Sequence, residues 1–445
     1  MDKPKTIVIG SGLAGLSAGL ELSSRGFDVM LLEASPYIGG RTAPWNQNGM
    51  EVESGLHRVL GFYTAFPELV KKAGLKMKEV VIWEDEIEVK VAGGSSFVYG
   101  ASPLFRPIET LTSPFRNHLI SWPEAWKMFK FFVSGIAAYA KDPEKLDEFS
   151  VLDYAQRFHL AEETIRRMIV PLTSGLFFLP PERYSAYVFF GPFAHALKRF
   201  YRVRIGAFRG GMTEVLAEPI AEKIKALGGT VLTDARVTRL IVSDNRVHGV
   251  RVNDSRDHAC DHVVMAASLG PAHEIICASS LQDAFPQLLS LPSMPEVNLQ
   301  LEFTRAVWPA DRAVFGVGTS LITFTEQSRT TFKDKPGRLS IILTPPEAII
   351  GMKDADIFEI FRRDAPRLGI DPSRVSGYRV VRHPADFYLL SQHMNKRRPG
   401  TKTAVQGLFL AGDYVQQSFM ATMEGAILSG NAAAREVIAA ARASG

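Results

Sequence analysis

The chain has 445 residues and a formal net charge of +4, from 51 basic and 47 acidic side chains. So small an excess excludes a nucleic-acid footprint spread over the whole surface and leaves only local basic clusters to consider. The two cysteines, Cys260 and Cys277, stand outside any CxxC or metal-ligand spacing, which argues against a disulfide framework or a metal centre and suits a reducing cytoplasm. The length allows a large core and two or three structural units. No run of roughly 18 apolar residues occurs, so no membrane-spanning helix is expected. The first strand starts too early to leave room for a charged region and an apolar region before it, so no signal peptide is expected either.

Thr6 to Ile9 is a run of β-branched and apolar residues, the pattern of a strand buried on both faces, and it stops at Gly10. Gly10-Ser11-Gly12-Leu13-Ala14-Gly15 then has the glycine spacing of a dinucleotide turn: a tight bend, a backbone that approaches a pyrophosphate, and a helix packed closely on the strand. Free N–H groups and the partial positive charge at the helix start hold phosphates. After the helical stretch LSAGLELSSRG, a second strand, Val29 to Leu32, ends on Glu33 with Ala34 beside it. Glu33 lies about 20 residues past the turn, where a carboxylate accepts hydrogen bonds from a ribose diol. A glycine-rich turn without a nucleotide is the alternative.

Gly39-Gly40-Arg41-Thr42 resembles the second fingerprint of the flavoprotein family that contains amine oxidases, phytoene desaturases and the GDP-dissociation inhibitors. In its flavin-binding members the glycine pair and the arginine lie against the FAD pyrophosphate, so the resemblance implies FAD rather than NAD. Next comes Val52-Glu53-Ser54-Gly55-Leu56-His57, whose E-x-G-L-H pattern is most similar to the plant-type phytoene desaturases. That likeness implies that the acidic residue of the turn, Glu53, and the following Gly55, Leu56 and His57 approach the flavin. A surface turn with an incidental histidine is the other reading, and proton transfer by His57 is not assigned.

From Glu79 to Tyr99, VVIW and EIEVKVAG alternate like half-buried strands and are expected to open a substrate domain. Residues 103 to 200 are rich in aromatics and prolines, with a helix expected from Trp122 through Tyr139. On it Trp126, Phe129, Val133, Ile136 and Ala140 share one stripe, which is expected mainly to pack in the core. The competing reading is an interfacial patch that touches a membrane, with Phe131 and Phe177 inserting and Lys127, Lys130, Lys198 and Arg202 meeting anionic head groups. Ser121-Trp122-Pro123-Glu124, Ser150 to Tyr154, and Leu176-Phe177-Phe178 followed by Pro181-Glu182 resemble the helical insertion of plant-type phytoene desaturases. Where those enzymes have an asparagine-arginine pair this chain has Ala194-His195, which puts identity of activity in doubt.

The chain then returns to nucleotide binding. Phe208 to Met212 leads into a helix whose Ile220, Ile224 and Leu227 face the sheet, and a strand-turn follows at Val237, whose backbone the resemblance brings to the adenine. Val247 to Val252 reads as a hairpin partner, and Asp261 to Ala267, including Ala266, as a strand closing against the cofactor, with His262 a structural turn residue. Glu296 to Arg305 reads as an alternating strand. In amine oxidases a lysine on the corresponding strand is held near flavin N5; here Asn298 stands near that place and no lysine occurs between 296 and 304. Ser418 to Ala421 offers no counterpart to the amine oxidases' tyrosine pair, and neither cysteine lies in the C-terminal motif, so the FAD is expected to be non-covalent.

That C-terminal motif resembles the plant-type desaturases almost residue for residue. Gly407 to Gly412 is a buried strand ending at Asp413, which the resemblance assigns to the ribityl chain, and Thr422 to Gly430, with Met423 and Ala426, begins the last helix. Its N-terminal dipole stabilises negative charge on the reduced flavin. The expected fold is α/β: a Rossmann-type FAD-binding domain made of 1–78, 205–290 and 401–445, a mixed-sheet substrate domain made of 79–110 and 291–400, and a helical insertion at 111–204. The resemblance implies a flavoprotein oxidoreductase of the phytoene desaturase-like type, removing hydride from a long apolar isoprenoid or carotenoid-like substrate to flavin N5, with a quinone or oxygen as electron acceptor. No catalytic base is assigned, no metal is expected, and the protein is expected in the cytoplasm or peripherally on the inner face of the membrane. A redox-neutral polyene isomerase, a flavin amine oxidase and a non-catalytic prenyl-protein escort are the alternatives.

Overall fold

The computed structural model describes residues 3–100, 120–333 and 335–444. The apolar run near the start forms β1 (Lys5–Ile9), in which Ile7, Val8 and Ile9 are at most 4% exposed because both faces of the strand are covered. Around it lie β2 (Asp28–Leu32), β3 (Thr230–Leu232), β4 (His262–Met265) and β5 (Leu408–Leu410), all parallel, in the order β3-β2-β1-β4-β5. One sheet therefore draws its strands from three distant stretches of chain. Helix α1 (Leu13–Ser24) follows β1, and the C-terminal helix, Met423–Ser444, packs on it. A side chain at Gly430 would place its Cβ 2.1 Å from the Ala14 carbonyl oxygen, so only glycine lets these two helices close. His262 is part of β4, paired with Thr6 and 4% exposed, and not a turn residue: the run of β-branched neighbours carries the strand through it.

A second, seven-stranded sheet has Ser293–Phe303 near one edge, between Val375–Tyr388 and Arg338–Leu343, both antiparallel to it. This strand is buried on both faces, not half-exposed as simple alternation suggests. Its apolar file, Val297, Leu299 and Leu301, packs with Ile357, Phe361 and Leu368 of the helical segment beyond the sheet. The polar file, Glu296, Asn298 and Gln300, points the other way, toward the turn at Glu53–His57. Glu86–Val91 and Ser96–Gly100 join the far edge of this sheet, but Val81–Glu84 does not. It pairs with Ile205–Phe208, which also pairs with Val59–Leu60, forming a separate three-stranded sheet.

The helix Trp122–Lys141 docks through Met128, Phe131 and Gly135. A Cβ at Gly135 would fall 2.1 Å from Phe190 Cζ, so the glycine decides which face approaches Ala186–Lys198. Trp126, Phe129 and Val133 of the stripe consequently face outward, with exposures of 61%, 55% and 51%, which overturns the expectation of core packing for these three, while Ile136 packs on the core. Phe131 is fully buried instead of inserting into lipid, its ring 4.9–5.9 Å from those of Phe132, Tyr154, Phe158, Phe189 and Phe190. Phe177 is half-buried and stacks on Tyr184. The expected boundary at 110/111 lies outside the described residues, among which no helix is long and apolar enough to cross a membrane.

Candidate functional site

The turn after β1 is built around glycine. Gly10 has φ +97°, and a side chain at Gly15 would put its Cβ 1.9 Å from the Gly10 carbonyl oxygen. Gly12 caps α1 in open space, while Leu13 and Ala14 anchor the first turn in the core. Glu33, 8% exposed at the end of β2, is oriented by three donors: Ser11 N–H at 2.8 Å and Ser11 Oγ at 2.7 Å to one oxygen, and Ser35 N–H at 2.8 Å to the other. Ala34 beside it is exposed. The second glycine pair folds back on the first: Gly39 N–H donates to the Ser11 carbonyl at 3.1 Å, and a Cβ at the exposed Gly40 would lie 3.0 Å from Gly12 Cα. Two bare backbones thus face each other, which is the surface a pyrophosphate needs.

Arg41 leaves this cradle to pair with Asp413, Nη2 to Oδ1 at 2.5 Å, with its guanidinium 4.9 Å from the centroid of Phe387. Asp413 follows β5 and is 4% exposed; the preceding Gly412 N–H donates to Ser429 Oγ at 2.8 Å, tying the turn to the C-terminal helix. Met423 and Ala426 are half-buried in that helix's first turn. Ala266 N–H bonds the Ile9 carbonyl at 2.8 Å, and Ala235 N–H bonds the Glu33 carbonyl at 2.8 Å, bringing buried Val237 to the far end of the cradle.

One residue that the sequence reading passed over is Glu424. Fully buried, it accepts from the N–H groups of Thr64, Ala65 and Phe66 at 2.6, 2.8 and 2.9 Å and from Thr64 Oγ1 at 2.9 Å. It therefore caps the helix Ala65–Lys72 and neutralises its positive end. A glutamate in a first helical turn looks like an ordinary dipole partner of its own helix, and nothing local signals a cap on another.

Glu53 turns away from the glycine turn into the second sheet, where it accepts a hydrogen bond from Gln327 and burial pushes its carboxyl up to about 7. Ser54 Oγ donates to the Arg41 carbonyl, which ties the following Gly55, Leu56 and His57 to the second glycine loop. Burial, with Arg41 and His383 nearby, holds His57 down to about 4, and its Nδ1 is shielded from solvent without a partner. Three more shielded groups on this side are unpartnered: both carboxyl oxygens of Glu296, Asn298 Nδ2 and His383 Nε2. Asn298 Nδ2 lies 3.9 Å from where Gly55 would carry a Cβ.

These features fit a flavin dinucleotide. The glycine cradle suits its phosphates, Glu33 its ribose, Arg41 and Asp413 its central polar stretch, and the unpartnered His57 Nδ1 and Asn298 Nδ2 the polar edge of its ring. When bound, such a group supplies two-electron hydride acceptance. Residues 13–438 match the flavin containing amine oxidoreductase family. The chain belongs to this family. As a flavin containing amine oxidoreductase family member it is a flavin-dependent oxidoreductase. It is 26% identical to the 15-cis-phytoene desaturase of Synechococcus elongatus, over 98% of this chain and 96% of that protein. It is 24% identical to the chloroplastic/chromoplastic 15-cis-phytoene desaturase of Arabidopsis thaliana, over 98% of this chain and 80% of that protein. Its fold matches an oxidoreductase from Methanosarcina mazei with a TM-score of 0.75 at 18% identity, covering 96% of this chain and 99% of the other. A putrescine oxidase bound to putrescine matches equally, with a TM-score of 0.75 at 18% identity over 98% and 99% of the two chains. On the strand Ser293–Phe303 this family member presents Glu296, Asn298 and Gln300, and no lysine.

Proposed function

We propose that the protein is an FAD-dependent desaturase of a long apolar isoprenoid or carotenoid-like substrate. FAD binds non-covalently to the segments 1–78, 205–290 and 401–445, while 79–110, 111–204 and 291–400 enclose the substrate. The observation that carries this reading is the likeness over nearly the full length of both chains to a phytoene desaturase. Gly10, Gly12, Gly15, Gly39, Gly40 and Arg41 hold the pyrophosphate, Glu33 the adenosine ribose, Val237 the adenine, and Asp413 the ribityl chain; Gly55, Leu56, His57, Met423 and Ala426 border the ring. Hydride removal from a hydrocarbon depends on orientation and on exclusion of water more than on strong acid-base groups, which suits a site closed by the buried second sheet. A quinone or oxygen reoxidises the flavin.

An apolar substrate of this kind resides in lipid, so the cytoplasmic enzyme rests on the membrane's inner face. The outward aromatic face supports that contact: Trp122, Trp126 and Phe129 on one helix and Leu197 and Phe200 at the end of the next are 73%, 61%, 55%, 61% and 59% exposed. Lys130 and Arg202 lie beside aromatic rings there, and an apolar groove of about 360 Å³, lined by Phe132, Ile136, Phe193 and Phe200, opens among them. The decisive experiment is anaerobic mixing of the yellow protein with 15-cis-phytoene in liposomes. Bleaching of the oxidised-flavin band with formation of a longer conjugated polyene is expected. Bleaching by amines and not by the polyene overturns the reading.

A further inference from the structure

The strand Ser293–Phe303 aims its polar file at the turn that borders the flavin ring. Gln300 Nε2 donates to the Glu53 carbonyl at 3.3 Å, and Asn298 faces Gly55. By the two-residue period of a strand, Glu296 stands on the same face. It is 1% exposed, and neither of its carboxyl oxygens has a hydrogen-bond partner. A carboxyl group shut away from water without a partner is costly, and such a group beside a reaction centre calls for a chemical use.

Its surroundings supply one. Directly opposite Glu296 in the antiparallel register is His383 on the strand Val375–Tyr388. His383 Nδ1 is 2.9 Å from Asp386 Oδ2, and Ser268 Oγ holds the other Asp386 oxygen at 3.2 Å. With Asp386 accepting from Nδ1–H, Nε2 is left as the free basic nitrogen, shielded from solvent and unpartnered. The charge that reaches Glu296 is Asp386, on the strand that also places His383 opposite it, and Arg41 in turn acts on both Asp386 and His57. Burial first, and then the Asp386 charge, raise the Glu296 carboxyl well above the usual range. Glu296 stands opposite His383 across the register, so a carboxylate there and an imidazolium offset by Asp386 form a complementary pair.

We propose that Glu296 is the proton acceptor of the reaction and that His383, oriented by Asp386, is the positioning residue that prepares it. The inference rests on the desaturase reading above. One substrate carbon loses hydride, with its electron pair, to the flavin. The C–H bond on the adjacent carbon breaks, its electrons become the new double bond, and its proton goes to the Glu296 carboxylate. The substrate is oxidised by two electrons and the flavin is reduced by two.

The test uses the flavin-loaded protein and the variants E296Q, E296D and D386N. Without substrate, the bound flavin's absorption is titrated across the neutral and alkaline range. Wild type should show a band shift from an ionisation that E296Q lacks, and E296D should retain it. With 15-cis-phytoene under anaerobic conditions, E296Q should reduce its flavin about 10²- to 10⁴-fold more slowly, and D386N should shift the pH profile of reduction without abolishing it. An unchanged rate and pH profile in E296Q, or no ionisation in wild type, overturns the proposal. Should E296Q fail to retain flavin, E296D decides: loss of the band shift in a protein that still carries a carboxyl overturns the assignment. A wild type that shows the ionisation but never reduces its flavin with the polyene refutes the desaturase reading, and with it the proton-acceptor role.

Discussion

Arg41 and Asp413 are 372 residues apart in the chain and 2.5 Å apart in the fold. One leaves the second glycine pair and the other lies in the turn after β5, so this single ion pair closes the cradle from both ends of the sequence. Asp413 is 4% exposed, and an uncompensated carboxylate there is strongly disfavoured. Arg41→Ala should therefore weaken flavin retention about tenfold to a hundredfold, the equivalent of losing one charge-assisted hydrogen bond of roughly 1.5–3 kcal/mol. Flavin released during gel filtration measures it. Retention equal to wild type would remove Arg41 from the site.

Glu424 makes a different prediction. Because it caps Ala65–Lys72 and does not face the cradle, Glu424→Ala should lower stability by about 2–3 kcal/mol through the loss of a cap with four donors. Thermal melts of wild type and variant, both loaded with flavin, check it. Flavin loss at an unchanged melting temperature contradicts the capping role.

The carboxyl of Glu53 sets a pH dependence. Its folded value, about 7, lies above its ordinary value of 4.5, because burial outweighs the hydrogen bond from Gln327. The folded state therefore binds this proton more tightly than the unfolded chain. The contribution is fully present below pH 4.5 and is lost as pH rises through about 7. At about 1.4 kcal/mol per unit it amounts to roughly 3 kcal/mol at most. Glu53→Gln keeps the shape without the titration, so its stability relative to wild type should rise from acid to mildly alkaline pH. A difference that is flat with pH is inconsistent with the buried acid.

The helical region separates packing from surface. Phe131→Ala should cost about 3–5 kcal/mol of stability by opening a cavity among five aromatic rings. Replacing Trp126, Phe129 and Phe200 with serine should leave the melting temperature nearly unchanged and reduce flotation with anionic liposomes. Undiminished flotation of the triple variant would locate membrane contact elsewhere.

Local chemistry was enough for the shape of the glycine turn. The glycine spacing from Gly10 to Gly15, the carboxylate at Glu33 and the Gly39-Gly40-Arg41 loop act through backbone shape, which neighbouring residues in sequence impose. The C-terminal strand and helix were legible for the same reason. Periodicity could not decide which way the helix Trp122–Lys141 faces, because aromatic residues lie all around it; Gly135, which alone admits the Phe190 ring, made that choice in three dimensions. Nor could it join Val81–Glu84 to Ile205–Phe208 instead of to the strand that follows it in the chain. Glu424 as a cap and Glu296 opposite His383 are both long-range pairings. A buried carboxyl group takes its role from the elements packed against it, and here those elements lie far away in the sequence.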